Sequence, residues 1–208
     1  SRSLIKFILY LNNFKITQLG RNAVYWFSSL FVSENKGFSG TLMSRMAKDK
    51  SIFLNSNVFN AGLQQFKGNL TDILDLVKDK DIPIILGRLV SNLKDQKPFI
   101  SVKKPGYKTA DHVYEEAEYE LNRNNFTRAD SLFRLAKELD VLRFRAPEKI
   151  NKIIDDLGQE FQAPTVPIDL IFDSVSPDGI AGDNLIVDHL HPNVQGYQLF
   201  GIVFYDCL

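Results

Sequence analysis

Apolar residues in this chain recur mostly at spacings of three and four, the spacing that puts side chains on one face of a helix. Leu4, Phe7, Ile8 and Leu11 share one stripe before the register breaks at Asn12, Asn13 and Gly20, so residues 3–31 predict one or two helices. Residues 32–57, with Gly37, Gly40 and scattered Ser and Asn, have the composition of a surface loop, with a short helix expected over 42–47. A long amphipathic helix follows, in which Phe59, Leu63, Phe66, Leu70, Ile73, Leu74 and Val77 line one face before KDKD ends it. Over 110–140, Tyr114, Ala117 and Leu121 form one apolar face and Phe126, Ala129, Phe133 and Ala136 the next. Asn124 and Asn125 supply the turn of a helical hairpin between them. Residues 147–161 predict a further helix, with Ile150, Ile153, Ile154 and Leu157 inward and Pro147 suited to its first turn.

Two runs depart from the helical period. IPIILGRLV, residues 82–90, is short, apolar and β-branched, as a buried parallel strand is, with Pro83 tolerable near its start. In APTVPIDLIFDSV, residues 163–175, Pro164 and Pro167 confine a second predicted strand to 168–172. The fold class predicted is therefore α/β with helices dominant and about two neighbouring parallel strands. SNLKDQKPF follows the first strand at its carboxyl end, the edge where open α/β sheets bind ligands. Asn92 and Asp95 are the polar residues to watch there, either as turn builders or, for Asn92, as a substrate contact. Two strands make a weak sheet, so its exposed edge and the apolar N-terminal helices are expected to pair with another copy of the chain.

Composition narrows the function classes. The 208 residues are 44% apolar, enough for one good core, and Lys and Arg number 25 against 25 Asp and Glu. The balanced charge gives no long-range field to recruit nucleic acid or an anionic membrane, although local patches remain open. The single cysteine, Cys207, excludes an intrachain disulfide and any multi-cysteine zinc or iron–sulfur site, and no cofactor is expected. Arg2, Lys6, Lys15 and Arg21 interrupt the N-terminal apolar runs well before the ~20 residues of a membrane span, and residues 7–11 are too short for a signal-peptide core. The dense hydrophobic pattern directly after Ser1 gives the expectation that the chain is cut from something longer.

Candidate chemistry gathers in DHLHPNVQGYQLFG, residues 188–201. Pro192 suits a first helical turn, which would hold His191 at or beside the N-cap. Asp188 lies three residues earlier, within reach of the imidazole Nδ1, where it would fix the tautomer and leave Nε2 free to take a proton from a nucleophile. LIVDHLHPNVQGYQLFG resembles the last block of the SGNH (GDSL-type) hydrolases, in which an Asp-x-x-His pair followed by Pro supplies the acid and base of a serine esterase triad. The order of elements from 58 to 204 is similar to the later half of one subgroup. There a tetratricopeptide-like hairpin interrupts the domain, and residues 110–140, with small Ala set against bulky aromatics, resemble one such unit.

The resemblance implies a flavodoxin-like sheet whose earlier strands are missing, Asp188 as triad acid, His191 as general base, and an ester or acetyl substrate, on a carbohydrate or lipid. It implies three parts: N-terminal helices and loop over 1–57, a hydrolase-like α/β part over 58–105 and 141–208, and a hairpin insertion over 106–140. It also requires a Gly-Asp-Ser nucleophile block, which does not occur in the sequence. GFSGT, with Ser39, is a near-miss of a Gly-x-Ser-x-Gly elbow but sits in loop composition. The expectation is that the nucleophile and oxyanion donors lie before residue 1 and that the isolated chain is inactive. His189 matches no catalytic position and reads as an exposed loop residue, with substrate contact as the other possibility, and His112 reads as structural. Beside the bland reading that DHLHP is only a capped helix start, two alternatives stay open. One is a zinc site at His189 and His191 with a third ligand from Asp173, Asp178 or Asp183. The other is a non-catalytic interaction module built on the hairpin.

Overall fold

The computed structural model describes residues 2–29, 51–103 and 108–208, and the chain divides into two compact units, 1–45 and 46–208. The first unit holds α1 (Arg2–Asn12) and α2 (Lys15–Ser29). Asn12 makes the elbow between them: its carbonyl accepts from Gln18 Nε2 at 2.7 Å and its side-chain oxygen from Arg21 at 3.4 Å. Both helices are where the apolar period puts them. The helix expected over 42–47, and Ser39, lie outside the described residues.

The second unit opens with α3 (Asn57–Asp79), capped by Ser56, whose hydroxyl accepts from the amide of Phe59 at 3.2 Å. Strand β1 (Leu86–Gly87) pairs in parallel with β2 (Thr165–Val166), Leu86 opposite Thr165 and Gly87 opposite Val166. Alternation across the pleat then sorts the core. Leu86 joins Leu74 of α3 and Ile150, Ile154 and Leu157 of α6 (Glu148–Phe161) on one face. Val166 joins Ile168 and Phe172 of α7 (Ile168–Val175), with Leu199, Phe200, Val203 and Phe204 of α8 (Val194–Tyr205) packed on that cluster. Gly87 is needed there because a Cβ would come within 2.6 Å of the Phe204 ring. The result is a helix-rich α/β unit with helices on both faces of a small parallel sheet.

Between the strands, α4 (Ala110–Asn122) and α5 (Phe126–Leu139) form the hairpin. Ala117, Ala129 and Ala136 are fully buried between the two helices, and the hairpin packs onto the rest of the unit through Leu93 and Ile180. Phe126, expected inward, is exposed at the first position of α5.

Three expectations need correction. Residues 168–172 are helical, and the second strand is Thr165–Val166, between the two prolines. Its ladder uses the Pro164 and Val166 carbonyls, which accept from Leu86 and Arg88 at 2.8 and 2.9 Å, so the missing proline N–H costs it nothing. Ile168 and Phe172, four apart, are buried while Leu170 between them is exposed, which is the helical period. Pro147 is the N-cap of α6 with extended backbone, not a residue of its first turn. Pro192 likewise lies outside α8: it bridges Ile186 in an antiparallel pair, and Asn193 caps the helix.

Candidate functional site

The sequence from Leu185 to Asn193 folds back on itself as a tight loop. Ile186 and Leu185 are buried under α8, the amide of Val187 donates to the His191 carbonyl at 2.9 Å, and that of Asn193 donates to the Leu185 carbonyl at 2.8 Å. Residues 188–190 are thereby held out at the tip. Asp188 fixes the tip from inside, its Oδ1 accepting from the amides of Leu190 and His191, both at 2.8 Å. The other oxygen, Oδ2, lies 2.7 Å from His191 Nδ1. Partial burial raises the Asp188 pKa, but the two amide donors and the imidazole outweigh it and hold the group down at about 2. With a carboxylate on Nδ1, the neutral imidazole carries its proton there and presents Nε2 as acceptor. Both side chains are about half exposed, so Nε2 is open to a reacting group.

Asn193 anchors the end of this loop. Its Oδ1 accepts from Gly196 at 3.0 Å as a helix cap, and its Nδ2 donates to the carbonyls of Asn184 and Asp183 at 2.9 and 3.2 Å. Gly196 lets α8 sit directly on Leu185, since a Cβ there would lie 2.3 Å from the Leu185 carbonyl oxygen. An Asn just before an apolar helix was the available signal for this cap, and Pro192 drew the expected start two residues too early.

The pair stands beside the loop that leaves the carboxyl end of β1. The amide of Asn92 donates to the His189 carbonyl at 3.0 Å. Asn92 itself is fully buried; its Oδ1 accepts from Asp95 and its Nδ2 donates to Asp183 Oδ1 at 2.7 Å. Its side chain is thus occupied at both ends in joining two loops. Asp95 completes the joint by accepting from the amide of Asp183 at 2.8 Å, and Gly182 leaves the room, because a Cβ would meet that carboxylate at 2.1 Å.

His189 is half-buried, not an exposed loop residue. Its ring stacks on Phe99 with centroids 3.8 Å apart and meets the edge of Phe144 at 6.2 Å. Burial, with the positive charge of Arg145 nearby, lowers its pKa. Arg145 is a part of the site that sequence reasoning missed. It is buried, and Nη1 donates to the carbonyls of Asn92 and Gln96 at 3.0 Å each, tying the β1 loop from beneath. Nothing in RFRAPEK distinguishes this arginine from its neighbours, because only tertiary packing makes it internal. Asp140 fixes the far end of the loop by accepting from the amides of Phe99 and Ile100 at 2.8 and 3.1 Å.

Each carboxylate considered as a third zinc ligand already has a partner. Asp173 is engaged by Arg134 and the amide of Ala181, Asp178 by Lys94, and Asp183 by Asn92. Among the described residues no group of three or more His, Cys, Asp or Glu is placed to hold a metal ion. His112 pairs with Glu116 one turn on, at 3.1 Å on the surface of α4.

The fold and site together define a helix-rich α/β protein with an ordered Asp–His pair on a rigid loop at the carboxyl edge of its sheet. In comparisons with known proteins, no family model, curated protein or solved structure matches the chain.

Proposed function

We propose that Asp188 and His191 are the acid and general base of a serine esterase triad of the SGNH type. The α/β unit would be the later half of a flavodoxin-like fold whose nucleophile and oxyanion donors lie outside this sequence. The observation that carries this reading is the 2.7 Å contact between His191 Nδ1 and Asp188 Oδ2, with Asp188 locked by two backbone amides and Nε2 left open. In that chemistry a serine hydroxyl gives its proton to His191 Nε2 as its oxygen attacks the ester carbonyl. The imidazolium so formed is stabilised by Asp188 and then protonates the leaving alcohol. The substrate class is an ester or acetyl group on a carbohydrate or lipid. The interaction-module reading lacks comparable support, because the small residues of the hairpin are consumed between its own helices.

The test uses the reading frame extended upstream and a fluorophosphonate probe for activated serine. Labelling of one serine is expected, and His191→Ala should remove it and lower ester turnover by at least about a thousandfold. The 208-residue chain alone should hydrolyse p-nitrophenyl acetate no faster than buffer. Turnover in that chain that vanishes with His191→Ala would place the nucleophile within it and overturn that part of the proposal. An extended protein with no labelled serine would overturn the triad itself.

A further inference from the structure

The helices of the first unit are amphipathic in a way that the balanced charge of the whole chain conceals. On α1, Leu4, Phe7 and Ile8 lie along one stripe and are about half exposed. On α2, Ile16 and Leu19 are 80% and 71% exposed, and with Ala23 they form a second stripe at spacings of three and four. Lys15 and Asn22 border this stripe beside Leu19, and Gln18 and Arg21 lie further round α2. At the elbow, Tyr10 and Phe14 meet edge to face at 5.3 Å, and both are exposed.

Charge selects among the possible occupants of these faces. Every charged residue in positions 1–33 is basic: Arg2, Lys6, Lys15 and Arg21. A second copy would bring the same four positive charges against them. The headgroups of an anionic bilayer would neutralise them while the acyl boundary takes the apolar stripes. Length points the same way, since helices of 11 and 15 residues are too short to cross a bilayer, which takes about 20, but can lie in its surface. The exposed Tyr10 at the helix elbow fits the headgroup level, its ring apolar and its hydroxyl wet, and Phe14 beside it adds apolar surface.

We propose that α1 and α2 form an interfacial anchor that binds the surface of an anionic lipid bilayer. This inference is independent of the esterase reading. It is tested by co-sedimentation of the 208-residue chain with vesicles of phosphatidylcholine alone, and of phosphatidylcholine and phosphatidylserine in equal parts. Binding is expected to the anionic vesicles, weakening as salt is raised. Lys15→Glu with Arg21→Glu should lower the partition coefficient by at least about 25-fold, each basic residue near such a surface being worth about fivefold. Phe7→Asp with Ile16→Asp should abolish binding, and unchanged helical circular dichroism with an unchanged unfolding transition of residues 46–208 would show that the variants remain folded. Recovery of the wild-type chain in the supernatant with both vesicle types would overturn the proposal. So would light scattering that shows self-association with no vesicle binding, which would make a second copy the occupant. Salt-insensitive binding to both vesicle types would overturn the anionic specificity.

Discussion

Asp188 performs two tasks with separate oxygens, and the division predicts what its amide would do. Oδ1 is taken by the amides of Leu190 and His191, so an asparagine in its place would keep its carbonyl there and turn its NH₂ toward His191 Nδ1. An imidazole facing a donor must accept at Nδ1 and carry its proton on Nε2. Asp188→Asn should therefore move the neutral tautomer from Nδ1–H to Nε2–H, visible in two-bond ¹H–¹⁵N spectra of the imidazole above neutral pH, with the loop intact. A tautomer unchanged in the variant would mean that the contact does not control the ring. The pH dependence has a defined sign. The folded pKa of about 2 lies below the ordinary 3.8, so the carboxylate's contribution to the loop is complete above that ordinary value and is lost as pH falls from there through about 2. This contact was legible in the sequence because a three-residue separation reaches it through one turn. His189 was not legible: its stacking depends on Phe99 and Phe144, distant residues that only the fold brings to it.

At the scale of elements, helical periods were legible where helices are long and one-sided, as in α3 and α6, because an apolar stripe repeated over several turns has no competing strand pattern. The second strand was misplaced because two residues carry no period at all. IDLIF is apolar and β-branched enough to read as a strand, yet it buries Ile168 and Phe172 and exposes Leu170. That contrast can be measured. A strand with one buried face would turn residues 168, 170 and 172 to the same side, so changes at Leu170 and Phe172 would cost alike. As a helix, Leu170→Asp should shift stability by less than about 1 kcal/mol, as surface changes do. Phe172→Ala, which empties a fully buried site between α7 and α8, should cost about 3–5 kcal/mol. Urea unfolding of the two variants checks the assignment, and equal losses would restore the strand.

The second unit as a whole is joined by polar contacts across the hairpin, and these decide whether the hairpin is an appendage or part of one cooperative body. Arg134 of α5 pairs with Asp130 in its own helix at 3.0 Å, with Asp173 of α7, and with Glu148 at the start of α6 at 3.5 Å. Lys137 reaches the same Glu148 at 2.5 Å. Burial lowers the Arg134 pKa, but three carboxylates around it reverse the direction and raise it, so the guanidinium stays charged in a partly desolvated position. The pattern of residues 110–140 showed a hairpin but could not show this joint, because nothing in their own segments marks Asp173 and Glu148 as partners of Arg134. Arg134→Met keeps most of the packing volume but leaves Asp173 with only the Ala181 amide and Glu148 with Lys137, for an expected loss of about 2 kcal/mol, below the cost for fully buried pairs because the site keeps some contact with water. If the joint makes one body, the slowest-exchanging amides of α4, α5, α6 and α7 share one opening free energy in the native protein. In the variant they fall together. Loss of protection confined to α4 and α5 would instead show a hairpin that opens alone, and the loop carrying Asn92, held from beneath by Arg145, would lose its support on the hairpin side, the Tyr114 hydroxyl on the Lys94 carbonyl.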